Sequence, residues 1–154
     1  MHIILRLLTV GFLAALASCA GQHQAINPRY EVVTDVHHTM ELIIDPVSDL
    51  IWSSAGSIVT DAGEEDLAPT TAEAWLKVET AAAVLAESGN LLMMPGRSAG
   101  EDWDNHSRNL TRAGKLALAA AEQRDADALF ESGGLIYQAC SACHSQYLID
   151  HDAR

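Results

Sequence analysis

The chain has 154 residues, 49% apolar and 19% charged, with only 4 prolines and 10 glycines, which excludes a disordered or collagen-like polypeptide and suits one domain with its own core. Acidic side chains outnumber basic ones 21 to 9, for a net charge of −12 at pH 7, and a surface of that sign argues against nucleic-acid binding. The three cysteines, at 19, 140 and 143, are too few for a disulfide framework, and their spacing suggests two separate purposes.

Residues 1–18 read as a leader: Arg6 supplies an early positive charge, and the apolar run Leu7 to Leu16 is too short to span a bilayer. The following Leu16-Ala17-Ser18-Cys19 is similar to a bacterial lipobox. That resemblance implies cleavage before Cys19, a diacylglycerol on its sulfur and usually a third acyl chain on its amine, which together anchor stably. Ala20, where an Asp would signal retention at the inner membrane, implies the outer membrane and a periplasmic location. The alternative is an ordinary secreted protein in which Cys19 falls there by chance. Residues 19–28 then form the lipidated cysteine and a polar tether, and 29–154 the folded domain.

No stretch sustains a period of two, so strands are not expected. A first helix, Arg29 to Ser54, places Val33, Val36, Met40, Ile43, Val47 and Leu50 at steps of three and four, with a kink expected near Asp45 because of Pro46. The loop Ala55 to Pro69 reads as a solvated acidic surface. A second helix starts after Pro69 with a Thr70/Glu73 capping box and stops at Gly89, burying Trp75, Val78, Ala82 and Leu85. A third, about Gly100 to Gln123, aligns Trp103, His106, Leu110, Ala113, Ala117 and Ala120. A fourth begins near Asp125, its acids suiting the helix dipole, and aligns Leu129, Gly133, Ile136, Cys140, Cys143 and Tyr147. Four such helices predict an all-α antiparallel four-helix bundle.

Cys140-Ser141-Ala142-Cys143-His144 has the C-x-x-C-H spacing by which c-type haem is attached near one end of such a bundle. Thiols three residues apart share a helix face and reach the two vinyl groups on one haem edge. The adjacent imidazole then turns under the ring to bind iron. A thioredoxin-like pair needs a βαβ setting and a helix N-terminus, and a zinc site needs four ligands; neither context is present.

The chain thus resembles the class II c-type cytochromes, the cytochrome c′ family, from about Tyr30 to Leu148. The similarity is strongest through Glu101-Asp102-Trp103 to Leu110, Leu116 to Ala121, Asp125 to Leu129, and the segment Cys140 to Tyr147. The resemblance implies haem c on Cys140 and Cys143, with His144 as the proximal iron ligand. Tyr147 matches the family's aromatic after the haem histidine, whereas Leu148 stands where Arg or Lys is usual.

Family members have either an open sixth position or a methionine ligand from the first helix. Met40 is the only methionine there, so the resemblance implies it as distal ligand; the competing reading is core filling. His37, one turn earlier, is the rival. His38 points elsewhere, His106 reads as a packing residue, and His23 and His151 as inert. Met93 and Met94 read as caps on the bundle end. Arg29, Arg97, Arg108 and Arg112 are candidate propionate partners, Arg29 preferred because it opens the first helix. No Ser-His-Asp set, buried carboxylate pair or phosphate loop is present, and no enzyme is expected.

Two functions fit the resemblance. The first is a monohaem electron carrier, steered by its acidic surface toward redox partners with basic patches and paired into a homodimer as family members often are. The second is a high-spin protein that binds nitric oxide or carbon monoxide, with Met40 a wall residue.

Overall fold

The computed structural model describes residues 30–148. The leader, Cys19, the tether, Arg29 and His151 lie outside them. Of two compact units, Met1–Glu31 contributes only Tyr30 and Glu31 to the described residues, and Val32–Arg154 holds the fold.

That fold is mostly helical. A continuous first helix comprises α1 (Val36–Thr39), a π-helical turn (Met40–Ile44) and α2 (Asp45–Trp52). The strands β1 (Ser57–Thr60) and β2 (Gly63–Asp66) follow, then α3 (Ala72–Leu92), α4 (Glu101–Gln123) and α5 (Ala126–Tyr147).

The first helix begins at Val36 rather than Arg29, because Asp35 caps it by accepting the His38 backbone N–H at 2.8 Å. The same N–H and the His38 ring hold the Asp35 carboxyl below its ordinary value. Val33 therefore leaves the inward row and is exposed. Pro46 acts through the π-turn. Its ring needs room against the Leu42 carbonyl, and the turn supplies it as the Asp45 N–H reaches back five residues to the Met40 carbonyl. The extra residue shifts the inward row by one position. Beyond Met40 the buried residues are Ile44, Ser48 and Ile51, while Ile43, Val47 and Leu50 are only half-buried.

Helix α3 is capped by Thr71, which accepts the Ala74 N–H at 3.1 Å, and not by the equally competent Thr70 beside it. It also runs through Gly89 to Leu92 instead of stopping there. Gly89 serves close packing: a Cβ there would stand 2.5 Å from the Ser107 carbonyl oxygen of α4 and collide with Thr111. Helix α4 ends at Arg124, whose φ of 54° is the left-handed C-terminal conformation. Asp125 then caps α5 by accepting the Ala128 N–H at 3.0 Å.

Helix α2 packs on α3 and α5, and α4 on α3 and α5, so each helix has two helical neighbours. Val78, Leu85, Ile51, Leu129 and Ile136 are fully buried between them. Trp103 donates its indole N–H to the Leu92 carbonyl at 2.8 Å, joining the start of α4 to the end of α3.

The two strands correct the expectation that no strands form, while the loop between Ala55 and Pro69 is the solvated acidic surface expected of it. They pair antiparallel in the register Ser57↔Asp66 to Thr60↔Gly63, so Asp61 and Ala62 alone form the turn. Every residue of both strands is exposed, so the hairpin adds an acidic ribbon and no core. Among the described residues no helix is long and apolar enough to cross a membrane.

Candidate functional site

Along α5 the inward row is fully buried at Leu129, Gly133 and Ile136 but only half-buried at Cys140, Cys143 and Tyr147. The change marks a cleft between the C-terminal half of α5 and the start of the first helix. Its inner part is lined by Ile44, Leu92, Leu110 and Cys140, among others. An outer part of about 560 Å³ includes Val36, His37, Trp103 and Tyr147. Met40, Asp45, Cys143 and His144 border both parts. Residues 100 positions apart in sequence thus meet at one site: Met40 from the π-turn, and Cys140, Cys143 and His144 from the last two turns of α5.

The two thiols lie among apolar walls, and burial pushes both above their ordinary value of 9.0. For Cys140 the nearby Asp45 carboxylate and Cys143 raise it further. Both are therefore neutral thiols at pH 7. Asp45 was not singled out in the sequence; its charge reaches the cleft because the π-turn sets it beside Met40.

His106 also lines the inner cleft. Its Nε2 pairs with Gln146 Oε1 at 3.1 Å, while its Nδ1 is buried and has no partner among the described residues. Tyr147 packs edge-on against both Trp103 and His106, with ring centroids 5.0 Å and 6.1 Å away. The packing expected of His106 is present, together with an unpaired ring nitrogen that sequence pattern did not reveal.

The remaining candidates stand apart. His37 is at the outer rim with its side chain 83% exposed, and His38 turns away to Asp35. Arg97 is buried outside the cleft, donating to the Thr34 carbonyl at 2.8 Å and the Leu91 carbonyl at 3.1 Å. It pins the segment before α1 to the end of α3 and is not free to meet an anion. Arg108 is held by Asn105 at 2.7 Å and Arg112 by Asn109, and neither lines the cleft. Met93 and Met94 also lie outside it, half-buried beyond α3, as expected of end caps.

The residues present fit a haem group. The outer space is of ligand size, the walls are mainly apolar, both thiols reach the cleft, and nitrogen and sulfur donors border it. Comparison with protein-family models, curated proteins and solved structures finds no match.

Proposed function

We propose that this protein is a monohaem c-type cytochrome of the cytochrome c′ type, an antiparallel four-helix bundle that carries electrons and catalyses no reaction on an organic substrate. One observation carries the reading: Cys140, Cys143, His144 and Met40 border a single apolar cleft. Haem, when bound, supplies one-electron chemistry through iron that alternates between ferric and ferrous states. Cys140 and Cys143, three residues apart on one face of α5, would hold it through two thioethers. His144 would give an imidazole nitrogen to iron and Met40 a thioether sulfur, a pair that would favour the ferrous state and raise the potential. Ile44, Leu92 and Leu110 keep water from the inner face, and His106 Nδ1 offers a polar contact there.

The leader and Cys19 support a lipid-anchored protein on the periplasmic side of the outer membrane. Its acidic surface suits redox partners with basic patches. The test is an absorption spectrum of the full-length protein made in a host that attaches c-type haem. A colour that survives acid–acetone extraction, with low-spin bands and the weak red band of a sulfur ligand, is the expected result. A high-spin spectrum would transfer the function to gas binding, and a colourless protein with two free mature thiols would end the haem reading.

A further inference from the structure

Beside the cleft, at the start of the first helix, a second set of donors converges. His37, His38 and Glu41 each offer one ligand atom, and these atoms all lie within 4.8 Å of one another. His37 and Glu41 are four residues apart and share a helix face, with Nδ1 already 3.9 Å from Oε2. We propose that His37, His38 and Glu41 form a binding site for a borderline divalent transition cation such as Zn²⁺, with Asp35 as the residue that orients His38.

The donor set selects the ion. Two imidazoles with one carboxylate suit zinc, copper or nickel, whereas magnesium and calcium favour oxygen ligands. Three protein ligands leave a fourth tetrahedral position for water. Metal–ligand bonds of about 2.1 Å place tetrahedral donors about 3.4 Å apart, so the observed set must contract modestly. The His37 and Glu41 side chains are 83% and 62% exposed and are free to do so.

Asp35 supplies an independent observation. Its Oδ1 lies 2.9 Å from His38 Nδ1, the carboxylate–histidine pairing that accompanies metal-binding imidazoles. With the proton on Nδ1 donated to Asp35, His38 keeps its Nε2 lone pair for the cation. Binding there adds two positive charges beside two carboxylates, in a chain whose net charge is −12. The site does not require haem, because its three ligands are distinct from Cys140, Cys143, His144 and Met40, the residues assigned to haem in the proposed function.

The experiment is calorimetric titration of Zn²⁺ into the full-length protein after chelator treatment, with Cys140 and Cys143 blocked by haem attachment or by alkylation so that they cannot bind the ion, and with Mg²⁺ as the comparison ion. We expect one Zn²⁺ per chain and no comparable Mg²⁺ binding. His37→Ala, His38→Ala and Glu41→Gln should each weaken binding at least about tenfold. Asp35→Asn preserves the helix cap and should still weaken binding by about 10–100-fold, which a capping role alone does not explain. Far-UV circular dichroism checks that each variant is folded. Unchanged Zn²⁺ affinity in a folded double variant, His37→Ala with His38→Ala, would overturn the proposal, as would equal affinity for Mg²⁺ or no binding by the parent protein.

Discussion

Trp52 donates its indole N–H to the Gly133 carbonyl oxygen at 3.0 Å, tying the last residue of α2 to the middle of α5. Gly133 eases the approach, since a Cβ there would stand 3.3 Å from the indole ring and press it outward by a few tenths of an ångström. Seven residues further along the same row, Cys140 is only half-buried and borders the cleft. The first and last helices are thus joined at one level and parted at the next, which makes room for a ligand without loosening the core.

Trp52→Phe keeps most of the packing and removes the hydrogen bond. It should cost about 0.5–1.5 kcal/mol, read from the denaturation midpoint, with the slope unchanged. The absorption spectrum of the loaded protein should not move, because the contact lies outside the cleft.

The inward rows of α3, α4 and α5 were legible because burial there follows the helical period from Trp75 to Leu85, Trp103 to Ala120 and Leu129 to Ile136. The first helix was read less well. Its periodicity fits the chain on either side of Pro46, and the π-turn that shifts the row by one residue leaves no mark in the pattern of apolar types. The hairpin was missed for a different reason: both of its faces are solvated, so Ser57 to Thr60 shows no alternation to detect. At the site, the spacing of Cys140, Cys143 and His144 is a local signal, whereas the Asp45 and His106 contributions arise from tertiary placement.

Two glycines on neighbouring helices should respond in opposite directions. A Cβ on Gly114 would stand 2.7 Å from the Ala86 backbone nitrogen, where α4 crosses α3. Gly114→Ala should therefore destabilise by about 1–3 kcal/mol, overpacking outweighing the gain in helix propensity. A Cβ on Gly134 meets nothing within 4 Å, so Gly134→Ala should stabilise by about 0.5–1 kcal/mol. Thermal or denaturant unfolding of both variants reads the contrast, and equal effects would show that helix propensity alone decides.

The raised thiol values give a pH dependence confined to the haem-free chain. A thiol whose folded value lies above its unfolded value contributes stability that is fully present below 9.0 and is lost as pH rises through the folded value. The chain made without haem attachment should therefore lose stability above pH 9.0 more steeply than its Cys140→Ala/Cys143→Ala variant. Its thiols should also alkylate more slowly than a free cysteine near neutral pH, since the thiolate is the nucleophile. With both thioethers formed, each effect should vanish.

Met40 decides between the two proposed readings of a haem site. If its sulfur binds iron, Met40→Ala opens the sixth position, turns the ferric spectrum high-spin and lowers the potential. Carbon monoxide should then enter faster than in the parent, because no bond must break first. If Met40 only fills the cleft wall, truncation leaves the spin state unchanged and costs at most about 2–5 kcal/mol, the lower end being expected because Met40 is only half-buried. His37→Ala is the control. With its side chain 83% exposed at the rim, His37 should leave the low-spin form intact, and loss of that form would transfer the ligand role to it. Both variants must be compared as folded, loaded protein, since partial unfolding itself changes ligation. A low-spin spectrum unchanged in Met40→Ala would give the sixth position to another residue, whereas one that is high-spin in parent and variant alike would favour the gas-binding reading.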